Sequence, residues 1–183
     1  MNERAIGLIE LTSIAAGFLV ADTMLKASNI QLLLSRSICS GKFMVLIGGD
    51  VAAVGAAIHA GCTAAKGCLI DQFVIPKVHQ DVFAALSRSR PVEPSGALGI
   101  LEAFNVATLI QAADVAVKAA NVTLMEIRLA MALGGKAYAT LTGDVSSVQA
   151  AVDAGRAVIA EAGLLVNAVV IPRPHPSVYR EII

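Results

Sequence analysis

The stretch Ala5-Ile6-Gly7-Leu8-Ile9-Glu10 decides the fold, because it recurs further along the chain as Ala97-Leu98-Gly99-Ile100-Leu101-Glu102. In both stretches a run of apolar and small residues ends at one carboxylate. Both introduce segments with the residue pattern of a strand, near 4–12 and 97–104. A long-range repeat of this kind predicts two structural units of similar fold within one chain.

Further matched blocks extend the repeat in the same order. They are Asp22 with Asp114, Lys26 with Lys118, Gly41-Lys42 with Gly135-Lys136, Gly49-Asp50 with Gly143-Asp144, and Val74-Ile75-Pro76 with Val170-Ile171-Pro172. The second copy carries two extra residues ahead of Gly135-Lys136, which places an insertion in one loop. Chance rarely matches several blocks in order, so the chain is a tandem repeat.

Each copy predicts an α/β (α+β) fold with the order β-α-β-β-α-β-α. Ser13 and Asn105 follow the first strand of each copy, and their side-chain oxygens can accept a first-turn N–H as helix N-caps. The helix after Ser13 is predicted from apolar residues spaced by about 3.6 positions. These residues are Ile14, Phe18, Ala21 and Leu25.

Two β segments, a second helix and a last strand complete each copy. The β segments are expected near 30–38 and 42–49 in the first copy, and near 122–130 and 136–143 in the second. Asp50 and Asp144 are predicted to cap the second helices. A Val/Ile-rich strand then ends at Pro76 or Pro172, and a short terminal helix follows each.

A polar segment rich in Pro, Ser and Gly separates the copies, and this composition is typical of a domain boundary. We therefore predict a first domain over 4–87, a linker over 88–95 and a second domain over 96–183.

The composition predicts that part of the apolar surface is covered. Of 183 residues, 56% are hydrophobic, only 15% are charged, and the formal net charge is zero. These charged residues are too few for the surface of a free monomer, so a membrane or partner subunits are the candidates that bury the remaining apolar surface. The longest stretch without Asp, Glu, Lys or Arg, Val51 to Ala65, is too short for a spanning helix of about 20 residues. Partner subunits are the remaining candidate.

The N-terminal residues bear on the localisation of the protein, and the charge balance bears on whether it binds nucleic acid. The first residues lack the basic and apolar regions of a secretory signal, so we expect a cytoplasmic protein. Fourteen acidic against fourteen basic residues argue against a nucleic-acid patch. No membrane and no nucleic acid are expected as partners.

The matched blocks together resemble the bacterial microcompartment (BMC) shell domain, in unpermuted order and over nearly the whole chain. The segments that carry the resemblance are Gly7-Leu8-Ile9-Glu10, Asp22 with Met24-Leu25-Lys26-Ala27, Gly41-Lys42, Gly49-Asp50-Val51 and Ile171-Pro172-Arg173-Pro174-His175. The resemblance implies a structural shell protein without enzymatic activity, located in the microcompartment shell. It also implies that three copies of the chain form a pseudohexagonal tile, with other BMC shell proteins as neighbours.

The loop Ser37-Ile38-Cys39-Ser40-Gly41-Lys42 is similar to that of the iron–sulfur shell proteins of propanediol-utilisation microcompartments. In that subfamily Pro often follows the cysteine, whereas Ser40 does so here. The resemblance implies that this loop and the equivalent Leu133-Gly134-Gly135-Lys136 line the central axis of the tile. Cys39 from each of three subunits would then hold one 4Fe-4S cluster, for electron transfer across the shell or for cluster delivery. A redox enzyme of the lumen is then a possible partner.

Two alternatives stay open. Within one chain Cys39 has no ligand partner at the spacing of a ferredoxin cluster, so it can equally be a thiol in a pore that passes small metabolites. The other alternative is a soluble redox carrier that works alone. Cys62 and Cys68 are predicted to be small core residues.

The resemblance also implies contacts along the edges of the tile. The residues in question are Lys26, Lys118, Lys77, His79, Arg173 and His175. Lysine keeps the charge of arginine but not its planar set of donors, so the edges formed by Lys77 and Arg173 should differ in strength.

The sequence contains no recognisable enzymatic motif. Gly134-Gly135-Lys136-Ala137 lacks the Ser or Thr and the upstream glycine of a phosphate-binding loop. The three histidines are scattered, without the spacing of a zinc site. Glu10 and Glu102 are equivalent by repeat, which favours a structural role over an acid/base pair.

Overall fold

A computed structural model describes residues 5–87, 89, 92–93, 95–130 and 133–179. Packing divides the chain into two compact units, one up to Val78 and one from His79. Each unit contains a four-stranded, wholly antiparallel sheet with helices packed against it.

The first unit follows the predicted order. Its elements are β1 (Ala5–Leu11), α1 (Ile14–Ala27), β2 (Gln31–Ile38), a 3-10 turn (Cys39–Gly41), β3 (Lys42–Gly49), α2 (Val51–Ala64) and β4 (Leu69–Ile75). The sheet order is β2-β3-β1-β4, so β1 lies in the interior of the sheet.

The second unit repeats the arrangement after one additional helix. Its elements are α3 (Gln80–Ser87), β5 (Ala97–Ala103), α4 (Val106–Ala119), β6 (Thr123–Leu129), β7 (Ala137–Gly143), α5 (Val145–Glu161), β8 (Leu165–Ile171) and the short α6 (Pro176–Tyr179). The sheet order is β6-β7-β5-β8. The predicted fold class and element order are confirmed.

The repeated glycine of the opening stretch has a packing reason. A Cβ atom on Gly7 would lie 2.7 Å from Cγ1 of Ile58 on α2, and one on Gly99 would lie 2.7 Å from Cγ2 of Val152 on α5. Each second helix therefore crosses its central strand at a point where only glycine leaves enough room.

The predicted caps hold at three of four helices. Ser13 Oγ accepts the N–H of Ala16 at 3.3 Å, and Asn105 Oδ1 accepts the N–H of Thr108 at 2.9 Å. Asp144 caps α5 by accepting the N–H of Ser147. Asp50 occupies the N-cap position of α2, but its side chain makes no capping hydrogen bond.

Helix α3 ends the first sequence repeat but packs in the second structural unit, against β6 and α4. The division into 4–87, 88–95 and 96–183 remains a prediction about the repeat, and positions 88, 90, 91 and 94 of the linker lie outside the described residues. No helix in the described part of the chain combines the length and the apolar character needed to cross a membrane.

Candidate functional site

The turn between β2 and β3 carries Cys39 at its start. Ser40 and Gly41 both have positive φ, at +67° and +71°, so the chain reverses through two successive left-handed residues. Proline could not replace Ser40 in this conformation, because its ring fixes φ near −65°. The turn therefore differs in geometry from one in which proline follows the cysteine.

Exposure varies sharply along this turn. Ser37 and Ser40 are exposed, Cys39 is half-buried, and Ile38 is buried and anchors the end of β2. The cysteine thus lies at the surface of the unit, on a short turn held by two paired strands.

The equivalent turn in the second unit lies between β6 and β7 and is longer, as the predicted insertion requires. Gly134 and Gly135 take positive φ, at +62° and +88°, which glycine adopts without steric cost. Leu133 is half-buried, and residues 131–132 lie outside the described chain.

The lysine that closes each turn is held against the first strand of its sheet. Lys42 Nζ lies 3.0 Å from Glu10 Oε1, and Lys136 Nζ lies 2.6 Å from Glu102 Oε1. Glu10 pairs with Met44 in the antiparallel register, so Lys42 is its diagonal neighbour on the same face of the sheet. A structural role for both carboxylates was predicted from the sequence, but their lysine partners were not, although both members of the pair recur in both copies.

The described part of one chain contains no group of three or more His, Cys, Asp or Glu side chains that could hold a metal ion. Cys62 and Cys68 pack against the hydrophobic core of the first unit, as predicted. Burial raises the pKa of the Cys62 thiol, as is typical of a cysteine in apolar surroundings. Among the cysteines, Cys39 alone lies on a turn between strands.

The expected edge lysines form ion pairs within their own helices. Lys26 Nζ lies 2.6 Å from Asp22 Oδ2, and Lys118 Nζ lies 2.5 Å from Asp114 Oδ2. Each carboxylate stands one helical turn before its lysine, where such pairs stabilise a helix and orient the charge.

The other expected edge residues lie at the ends of the repeats. Lys77, Arg173 and His175 are exposed, whereas His79 is half-buried. His79 donates its backbone N–H to Asp114 Oδ1 at 2.8 Å within the second unit. The sequence did not predict this contact of the main chain.

A surface of α1 is apolar and uncovered. The predicted apolar spacing is correct for a helix, but Gly17, Val20, Ala21 and Met24 form its buried face. Three of the four predicted residues lie exposed instead: Phe18 at 66%, and Ile14 and Leu25 at 43% each. Their equivalents on α4, namely Val106, Ile110 and Val117, are buried.

The chain has a tandem-domain architecture. Each domain contains an antiparallel sheet built from the repeated sequence, and in each the turn lysine forms an ion pair with the first strand of the sheet. The BMC domain family matches residues 5–78 and 97–174 of the chain. The protein therefore belongs to the BMC domain family.

Its relatives indicate which type of BMC domain protein the chain is. It is 47% identical to the bacterial microcompartment shell protein PduT of Citrobacter freundii, over 98% of both chains. The bacterial microcompartment shell protein PduA of the same organism is 39% identical over 84 residues, which cover 45% of this chain and 90% of PduA. The crystal structure of a microcompartments protein from Desulfitobacterium hafniense superposes with a TM-score of 0.89, at 48% identity and over 97% of this chain and 98% of that one. The chain is thus a microcompartment shell protein of the PduT type, with tandem BMC domains.

Proposed function

We propose that three copies of this chain close into a pseudohexagonal tile of a microcompartment shell, with a structural rather than a catalytic role. One observation carries the proposal: the apolar face exposed on α1 is buried on α4. Two equivalent helices of one chain thus differ in whether this face is covered, and the uncovered face needs a partner.

A second copy of the chain fits this face by its chemistry. Ile14, Phe18 and Leu25 are large apolar side chains on one stripe of helix, which is the composition of an interface core. A contact between this stripe and a different surface of the next copy is heterologous, and such contacts close into a ring when the rotation permits. Because each chain contains two BMC domains, a ring of three supplies six domains.

The ring gives Cys39 its role. One chain supplies a single turn cysteine, and iron–sulfur clusters are held by several thiolates. Around a threefold axis, three copies of Cys39 would form the ligand set of one 4Fe-4S cluster and leave one iron open to another ligand. Ser37 and Ser40, exposed on either side of the cysteine, offer hydroxyl and backbone donors to cluster sulfurs. A bound cluster supplies one-electron transfer, either across the shell or to a redox enzyme of the lumen.

Solution mass tests the tile. A trimer that forms sheets supports it, whereas a stable monomer of 18.8 kDa contradicts it and favours the stand-alone redox carrier.

Anaerobic reconstitution tests the cluster separately. The trimer is loaded with iron and sulfide and followed by absorption and EPR spectroscopy, with Cys39→Ser as the variant and Cys62→Ser as the matched control. We expect a cluster signal in the wild type and in Cys62→Ser, and its loss in Cys39→Ser. Iron at the same level in Cys39→Ser would overturn the assignment.

A tile without a cluster is the second candidate, because the longer turn of the second unit offers glycines and no thiol. Gly134 is exposed and would offer its backbone groups beside the proposed axis, as a pore for small polar metabolites requires. A trimer that binds no iron under anaerobic loading would favour this candidate.

Contacts to other BMC shell proteins are proposed along the tile edges. Lys26 is largely exposed despite its ion pair, and Arg173 and Lys77 are exposed at equivalent positions of the two repeats. Their unequal donor sets would give edges of unequal strength.

A further inference from the structure

The last segment of the first sequence repeat makes a contact within the second unit. His79 begins that segment: its N–H donates to Asp114 Oδ1 at 2.8 Å, and its carbonyl accepts the N–H of Val82 at 3.1 Å. The imidazole Nδ1 lies 3.3 Å from the N–H of Asp81 and accepts it. Helix α3 then lies against β6 and α4.

The same segment recurs at the end of the second repeat with the same local geometry. The carbonyl of His175 accepts the N–H of Val178 at 2.9 Å, and its Nδ1 accepts the N–H of Ser177 at 3.2 Å. The N–H of His175 itself has no acceptor among the residues that the structure describes. The terminal segment of the second repeat therefore has the local geometry and the donor of this contact, but no acceptor for it among the described residues.

The acceptor side of the same contact is present on α1. Asp22 is the repeat equivalent of Asp114, and each carboxylate holds the lysine one turn later through Oδ2. The side chain of Asp114 is 5% exposed beneath His79, whereas that of Asp22 is 54% exposed. Within the described residues, Oδ1 of Asp22 accepts no hydrogen bond.

Apolar residues beside these two halves show the same difference. Leu124 on β6 is 2% exposed, and its equivalent Leu32 on β2 is 38% exposed. Val82 on α3 is fully buried, and its equivalent Val178 on α6 is 40% exposed. The residue type is identical in each pair, so the difference is due to packing and not to composition.

Strand β2 also contains a buried polar atom that lacks a partner. Nε of Arg36 is buried without a hydrogen bond in the described chain, whereas Arg128, its equivalent on β6, donates to Glu126 at 2.5 Å. The first unit has Leu34 where the second has Glu126, so this difference is due to composition and does not mark a docking surface.

We infer that the terminal segment from Pro172 to Tyr179 of one copy docks on β2 and α1 of the next copy, as α3 docks on β6 and α4 within the chain. In this contact His175 donates its N–H to Asp22 of the partner subunit. Val178 covers the partner subunit's Leu32. The inference rests on the proposed ring, and it makes this segment the strap that joins one subunit to the next.

Hydrogen exchange at one amide tests the strap. His175 stands between Pro174 and Pro176, so its amide is the only exchangeable backbone position between Arg173 and Ser177. In the trimer we expect this amide to exchange at least about tenfold more slowly than in an unprotected peptide. In Asp22→Ala the protection should be lost, and in the matched control Lys26→Ala, which keeps the acceptor, it should remain.

The outcomes separate the strap from the ring, because mass is measured on the same samples. A trimer in which the His175 amide exchanges freely would overturn the strap and leave the ring intact. Protection that persists in Asp22→Ala would overturn the assigned acceptor. A monomeric wild type would overturn the ring itself.

Discussion

The ammonium group of Lys42 lies 3.0 Å from the carboxylate of Glu10, whose side chain is completely buried in the central strand of the first sheet. The lysine that closes the cysteine-bearing turn is therefore tied to the core. Because burying an unpaired carboxylate is costly, this pair fixes where the turn leaves the sheet. The pair of Lys136 and Glu102 in the second unit is more exposed and constrains its turn less.

Lys42→Met should destabilise the chain more than Lys136→Met. The first change leaves a fully buried carboxylate without its ammonium partner, at a cost of about 1–3 kcal/mol in the free energy of unfolding. The second leaves Glu102, whose side chain is 27% exposed, with access to water. Urea unfolding of both variants measures the difference, and equal losses would contradict it.

Leu25→Asp should weaken assembly without unfolding the chain, because Leu25 lies on the exposed apolar face of α1. We expect the subunits to dissociate at least about tenfold more readily, as for a residue in an interface core. Light scattering gives the mass, and circular dichroism checks the fold.

The matched variant is Val117→Asp at the equivalent position of α4, where the side chain is buried. A charge there should unfold or strongly destabilise the chain itself. If Leu25→Asp assembled like the wild type, the α1 face would not be an interface.

Gly155→Ala should destabilise and Gly55→Ala should not, although both residues lie within helices. A Cβ on Gly155 would meet Cδ1 of Leu101 at 2.5 Å and the carbonyl oxygen of Ala112 at 3.0 Å. We expect a loss of about 1–3 kcal/mol from overpacking. A Cβ on Gly55 meets nothing within 4 Å, so alanine should stabilise α2 by about 0.4–1 kcal/mol. Thermal unfolding of the two variants provides the comparison.

The cap of α5 should make stability depend on acidity. Hydrogen bonds from Ser146 and from Ser147, through its hydroxyl and its backbone N–H, lower the pKa of Asp144 to about 2. Since this value lies below that of the unfolded chain, the stabilisation is fully present above about pH 4. It is lost as the pH falls toward 2.

Comparison with Asp144→Asn isolates this effect, because asparagine can still cap the helix but does not titrate. The melting-temperature advantage of the wild type over Asp144→Asn should shrink between about pH 4 and pH 2. Other carboxylates titrate in both proteins and cancel in the difference. An advantage that stays constant over this range would show that the carboxylate charge plays no part in the cap.

The sequence by itself determined the repeat, the element order and most helix starts. Ser13 and Asn105 could be recognised as caps because capping depends on a few neighbouring residues. The position of Cys39 between two strands followed in the same way from the local pattern.

Which side of α1 packs inward was decided only by tertiary structure. Both the stripe with Phe18 and the stripe with Val20 and Met24 are apolar, so periodicity alone cannot choose between them. The glycine at position 17 allows close approach to Phe43 and selects the inner face.

The assignment of α3 to the second unit and the pairing of Lys42 with Glu10 were also decided by the tertiary structure. Both depend on residues far apart in the chain, brought together by sheet register and by burial. Local sequence determines which elements form, because their hydrogen bonds and caps are local. Long-range packing determines which equivalent surfaces are covered, and at Asp22 and Asp114 it does so differently for two copies of one motif.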